Sequence, residues 1–171
     1  GPELRQLLET ADIPATYTLM AAGILGYDNK RNLGLIGMHG SIAANRAVDR
    51  ADLIIALGAR FSDRVALNPE KFGKKAHKIQ VDIDTSEINK NVLVDVGISA
   101  DIKEFLTALL PLIKKNDHAD WVSQSTEWKK KTGDVKSQDA ELHPSEIIQS
   151  ICDMTDKETI YVTDVGQHQM W

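Results

Sequence analysis

The spacing of apolar positions changes along this 171-residue chain, and each change marks an element. Leu4, Leu7, Leu8 and Ala11 recur at helical spacing, so the chain opens in a helix that ends before Pro14. Residues 16–20 read as a short β segment. Gly34, Gly37 and Gly40 then punctuate a loop containing Met38 and His39, and an alanine-rich helix follows over 41–50. Leu53–Leu57 is a continuous apolar run closed by Gly58, the pattern of a strand covered on both faces. Residues 78–83 predict the next strand, 85–90 a short helix and 94–99 another strand. Ile102, Phe105, Leu106, Leu109, Leu110 and Ile113 then share one helical face. Strands alternating with helices predict parallel βαβ units in an α/β fold, which bind ligands at the carboxyl ends of their strands.

The pattern weakens after Ile113. A helical segment from Trp121 to Trp128 runs into the polar, weakly periodic stretch 132–142, so residues 117–142 read as a linker. His143-Pro144-Ser145-Glu146 starts a new helix with proline near its first turn and Ile147, Ile148 and Ile151 on its expected buried face. Cys152 falls on the same pattern and is expected to be a small buried hydrophobe. Residues 159–163 read as a strand and 164–168 as the turn after it. The chain thus divides into a domain over 1–116, a linker over 117–142 and the edge of a second α/β domain over 143–171.

Composition narrows the function. Hydrophobic residues make up 42% and charged residues 26%, a globular balance, and the net charge of -5 argues against a nucleic-acid partner. The single cysteine allows no internal disulfide and no multi-cysteine metal site. No apolar run reaches the length of a membrane span and no signal-peptide pattern opens the chain, so a cytoplasmic location is expected.

Four places could carry chemistry. Gly37-Met38-His39-Gly40 precedes a helix whose first N–H groups could face an anion; His39 in that loop serves a ligand or the loop itself. Gly58 to Arg64 follows the apolar strand and carries Arg60 and Arg64, placed either to hold phosphates or to pair with a carboxylate such as Asp63. Asp82 and Asp84 end the next strand, where an acid can accept from a ribose. Asp84 with Glu87, and Asp101 with Glu104, also have the spacing of helix caps. Gly166, Gln167 and His168 follow the last predicted strand, in a turn that suits a diphosphate or simply enters a helix.

These segments, taken together, resemble the catalytic subunit of the acetohydroxyacid (acetolactate) synthases. Residues 35–41 resemble that family's LGMHGT segment, and 51–65 resemble ADLLIALGARFDDRV. Residues 83–91 are similar to IDIDPAEIGKN, and 165–171 match VGQHQMW, all in the family's order. The resemblance implies a Rossmann-like parallel sheet with flanking helices that holds FAD, followed by the start of a thiamine-diphosphate domain. It places Thr18, Leu19, Met20, Gly37, Met38 and His39 beside the flavin. Gly58, Arg60, Arg64 and Val65 would follow its ribityl and phosphate path, and Asp82, Ile83 and Asp101 its adenosine end. Gly166, Gln167 and His168 would contact thiamine diphosphate.

The implied reaction decarboxylates pyruvate and transfers the resulting two-carbon unit to a second pyruvate or to 2-ketobutyrate. The chemistry belongs to thiamine diphosphate with Mg2+, and the flavin takes no net redox part. A homodimer or larger oligomer is implied, with a regulatory small subunit left open. Ser62 stands where the family has aspartate, and Ala100 where it has glycine. The family's catalytic glutamate, its first middle-domain strand and its magnesium motif have no counterpart in these residues, so the 171 residues alone are expected to form no acetolactate. Glyoxylate carboligase, pyruvate oxidase and a non-catalytic nucleotide-binding module remain the alternatives.

Overall fold

A computed structural model describes residues 1–133, 143–156 and 158–170. The chain forms two compact units, residues 1–133 and 134–171. The first is α/β, with two parallel sheets flanked by helices: β1 (Ala15–Tyr17) beside β2 (Asn32–Leu35), and β3 (Leu53–Leu57), β4 (His77–Asp82) and β5 (Val96–Ser99) in that order. Its helices are α1 (Pro2–Ala11), α2 (Ile42–Arg50), α3 (Ile102–Leu109) and α4 (Ala119–Gly133).

The expected helices start where side chains supply the missing hydrogen bonds. Ser41 accepts from the Ala44 N–H at the head of α2 and donates to the Leu33 carbonyl, so one hydroxyl fixes the helix start to β2. Asp101 accepts from the N–H groups of Lys103 and Glu104 at the head of α3. That helix stops at Leu109 rather than continuing to Ile113, because Pro111 has no N–H to donate back and the chain tightens into a 3-10 turn.

Several expectations for the first unit change. Residues 32–35 form a strand where glycines suggested a loop. Leu33 is buried, the Asn32 amide donates to the carbonyls of Leu25 and Gly26, and β2 pairs with β1 through an irregular register. Secondly, β3 is not covered on both faces. It pairs only with β4 among the described residues, and Leu53 is 48% exposed while Ala56 is buried. Thirdly, α4 occupies much of the stretch read as a linker and packs on α2. Trp128 joins Leu33, Ile36, Ala43, Ala44 and Ala47 in one core cluster, with Trp121 edge-on to Trp128 at 5.7 Å. The small alanines of α2 let the indole approach its backbone closely. Lys129 donates to the Tyr27 carbonyl at 2.7 Å with its ammonium 4.5 Å from the Tyr27 ring centroid. The remainder of the linker, 134–142, lies outside the described residues.

Asp12 joins the ends of three segments. It closes α1 in a left-handed conformation, forms an ion pair of 2.6 Å with Arg31 ahead of β2, and accepts from the His118 N–H ahead of α4. The Arg31 hydrogen bond, opposed by burial but aided by the Arg31 charge and the His118 N–H, holds the Asp12 carboxyl below its ordinary 3.8. A depressed folded pKa stabilises above the unfolded value and is lost as pH falls through the folded one. The urea midpoints of the wild type and Asp12→Asn are therefore expected to differ at pH 6 and to converge as the pH drops below about 3.8. A difference that does not shrink in acid would exclude this ion pair as its source.

In the second unit, α5 (Pro144–Met154) starts at His143 with the Glu146 carboxylate accepting from the His143 N–H. The predicted strand over 159–163 does not form: among the described residues it has no neighbouring strand, and Val162 is 92% exposed. For the same want of a packing partner, Ile151 is exposed and so is Cys152, contrary to its expected burial.

Candidate functional site

Because every strand pair is parallel, the segments after β1 and β2 leave one edge of their sheet, and those after β3, β4 and β5 leave one edge of theirs. The candidate residues of the first unit sit in these five segments. Thr18, Leu19 and Met20 follow β1, where 19–21 form a 3-10 turn with Leu19 and Met20 exposed. The Ile36 N–H donates to the Tyr17 carbonyl at 3.0 Å, which brings the start of the glycine loop beside that turn. Met38 and His39 are exposed at its tip.

The two sheets meet through the candidate residues themselves. The Met38 N–H donates to the Arg64 carbonyl at 2.8 Å. Gly37 is buried in a left-handed conformation at φ 102°, and a Cβ there would overlap the Arg64 carbonyl oxygen and lie 2.9 Å from Val65 Cα. Val65 packs on the core cluster of β2, α2 and α4, whereas the neighbouring Ala66 belongs to the cluster of Ala56, Phe61 and Val92. Arg64 therefore stands at the joint between the two cores, its side chain 68% exposed and 3.9 Å from the Asp63 carboxylate. That distance between exposed groups is worth little energetically, so it does not consume the guanidinium. Arg60 is exposed and makes no ion pair among the described residues. An open cleft of about 440 Å³ lies beside the joint, bounded by Gly37, Met38, Val65, Asn45 and Phe72.

The acidic candidates divide. Asp82 is buried at the end of β4 and accepts from the Asp84 N–H, while its carbonyl accepts from the Ala100 N–H beyond β5. Gly58 donates to the Val81 carbonyl, so the ends of all three strands of this sheet are tied together. Ile83 is exposed. Asp84 caps the turn over Thr85–Glu87; hydrogen bonds from Ser86 hold its carboxyl below the usual range, with Lys90 and Arg60 adding their charge. Asp101 caps α3 and is exposed, so the capping geometry expected from spacing is present at both acids. In the second unit Gly166 donates to the Gln169 side chain and His168 is half-buried. Gln167 starts a 3-10 turn.

Several residues that organise this edge were not singled out from the sequence. Asn45 accepts from the Gly37 N–H at 3.2 Å and donates to the carbonyls of Gly37 at 3.0 Å and Ser41, holding the glycine loop from α2. Gln80 and Asn91 act similarly on the arginine segment. Phe61 is a buried non-glycine residue at φ 48°, a conformation sustained only where surroundings impose it. Gln80 could have been flagged as an amide inside the apolar run Ile79–Val81; Asn45 as the polar exception in an alanine-rich helix.

The sequence that builds this arrangement matches known proteins. Residues 1–109 match the model of the family described as thiamine pyrophosphate enzyme, central domain. The chain belongs to that family. It is 43% identical over 169 residues to the acetolactate synthase large subunit of Lactococcus lactis, covering 98% of this chain and 29% of that protein. It is 40% identical over 178 residues to acetolactate synthase 1, chloroplastic, of Zea mays, covering 100% of this chain and 28% of the relative. The large subunit of Cyanidium caldarium is 41% identical over 177 residues, 99% of this chain and 30% of the relative. The chain thus spans under a third of the length of these relatives. No helix among the described residues is long and apolar enough to cross a membrane.

Proposed function

We propose that these residues serve an acetolactate synthase, as the part of its catalytic subunit that holds FAD and leads into the thiamine-diphosphate domain. The observation that carries this reading is identity near 40% running through the whole chain to relatives with that name. The reaction condenses two pyruvates, or pyruvate with 2-ketobutyrate, with loss of CO2, in branched-chain amino acid biosynthesis. Thiamine diphosphate, with Mg2+ held outside these residues, supplies the carbon–carbon chemistry when bound. Residues 143–171 form the edge of its domain, with Gly166, Gln167 and His168 toward the cofactor.

The chain's own residues fit an extended, anionic dinucleotide. The joint exposes two guanidinium groups at the carboxyl edge, Arg60 and Arg64, and neither is committed to a strong ion pair among the described residues. Gly37 and Gly58 present backbone beside them, and Asp82 and Ile83 continue the edge toward an adenosine end. Thr18, Leu19, Met20, Met38 and His39 provide a mixed apolar and polar wall for the flavin ring. The same reading assigns a homodimer or larger assembly, leaves a regulatory small subunit open, and assigns a reducing compartment such as the cytoplasm, which suits the free Cys152.

Titration of FAD into the chain, followed by fluorescence quenching with NAD as a control, tests the flavin assignment. Selective FAD binding is expected. Arg60→Ala should weaken it about ten- to a hundredfold, the effect of losing a charge-assisted contact worth roughly 1.5–3 kcal/mol. Equal affinity for FAD and NAD, or indifference to Arg60→Ala, would count against the assignment. With the whole enzyme that carries these residues, a screen of 2-keto acids is expected to give acetolactate from pyruvate. Preference for glyoxylate would instead indicate a carboligase.

A further inference from the structure

We infer that Gln80 and Asn91 are positioning residues for Arg60, holding the backbone from which that guanidinium reaches the ligand. The inference rests on the flavin reading for the ligand's identity, but the holding itself rests on hydrogen bonds. Gln80 lies in the middle strand of its sheet and is fully buried, flanked by Ile79 and Val81. A buried amide is costly unless its polar atoms are paired, and an apolar side chain of the same shape would avoid the cost. Among the described residues the Gln80 side chain bonds only to the segments that follow the carboxyl ends of β3 and β4. Its Nε2 donates to the Ala59 carbonyl and to the Glu87 carbonyl, each at 3.1 Å, and its Oε1 accepts from the Asn89 N–H at 3.3 Å.

Asn91 continues the hold by one residue. Its Nδ2 donates to the Arg60 carbonyl at 2.9 Å. Asn89, left-handed at φ 61°, accepts from the Val94 N–H and turns the chain that delivers Asn91. Two successive carbonyls, of Ala59 and Arg60, are therefore held by side-chain amides, one from β4 and one from the segment after it. The next residue, Phe61, is fixed by burial in its left-handed conformation, edge-on to Phe72 at 5.3 Å. With the peptides on both sides of Arg60 held, its exposed side chain leaves the loop from a fixed base. Preorganisation of this kind strengthens ligand binding without any contact to the ligand.

The test combines two measurements on the full chain. Asn91 is exposed, so Asn91→Ala preserves the fold; Gln80→Met, the stronger change, is read beside it. Amide hydrogen exchange at residues 59–64 is expected to quicken about tenfold in Asn91→Ala, with the rest of the sheet unchanged. In FAD titrations Asn91→Ala is expected to weaken binding severalfold, yet to add nothing in the Arg60→Ala background, as required of a residue acting through that arginine. Rescue is expected from neither Asn91→Asp, which cannot donate, nor Asn91→Leu. Unchanged exchange at 59–64, or full additivity with Arg60→Ala, overturns the inference. Failure of the unaltered chain to bind FAD overturns the flavin reading instead, and the exchange data alone then decide whether the amides hold the loop.

Discussion

Gly37→Ala is expected to destabilise the chain by roughly 3 kcal/mol and to abolish the docking of the glycine loop on the arginine segment. Two costs add at this position. The backbone is at φ 102°, where a side chain is strained, and a Cβ there would overlap the Arg64 carbonyl oxygen and crowd Val65 Cα. Neither obstacle is a flexible side-chain end; both are backbone atoms, so relief requires the two loops to separate. Separation would also break the Met38-to-Arg64 hydrogen bond and expose Val65 at the edge of its core cluster. Gly23 supplies the control, since it is left-handed at φ 83° but a Cβ there would meet nothing within 4 Å. Gly23→Ala should therefore cost only the strain, about 1 kcal/mol. Urea unfolding of the two variants separates strain from overlap. Equal losses would mean that the loops shift apart at little cost and that their contact does not define the site.

Trp128→Ala is expected to cost about 3–5 kcal/mol, the usual loss when a large buried aromatic is truncated. The indole fills the space between α4 and the alanines of α2, with Arg50 5.4 Å from its ring centroid and Trp121 against its edge. The consequence reaches the candidate site, because α2 also carries Asn45, which holds Gly37 by two hydrogen bonds. The near-ultraviolet circular dichroism of the tryptophan pair should collapse with the unfolding transition of the first unit. A loss under about 0.5 kcal/mol, typical of surface positions, would instead mark 119–133 as a tether with no part in that core.

The sequence by itself determined what depends on neighbours a few residues away. The Leu53–Leu57 strand, the alanine-rich helix α2 and the Asp101 cap of α3 were legible because each rests on the local residue pattern or on a hydrogen bond reaching two or three residues along the chain. The α/β class followed from the alternation of such elements, and the family from motifs in order. What the tertiary structure alone decided needs a partner distant in sequence. Residues 32–35 become a strand because β1 lies beside them, whereas the more apolar run at 159–163 finds no neighbouring strand among the described residues and does not. Thr126 of α4 donates to the Lys30 carbonyl, 96 residues back, and Val122, Ser125 and Trp128 are buried despite the weak periodicity of this stretch. Two polar organisers of the site also act at long range: Gln80 reaches Ala59 across 21 residues and Asn91 reaches Arg60 across 31. A side chain's local pattern states whether it prefers burial. Which carbonyl it will meet there is fixed only when the strands have chosen their neighbours.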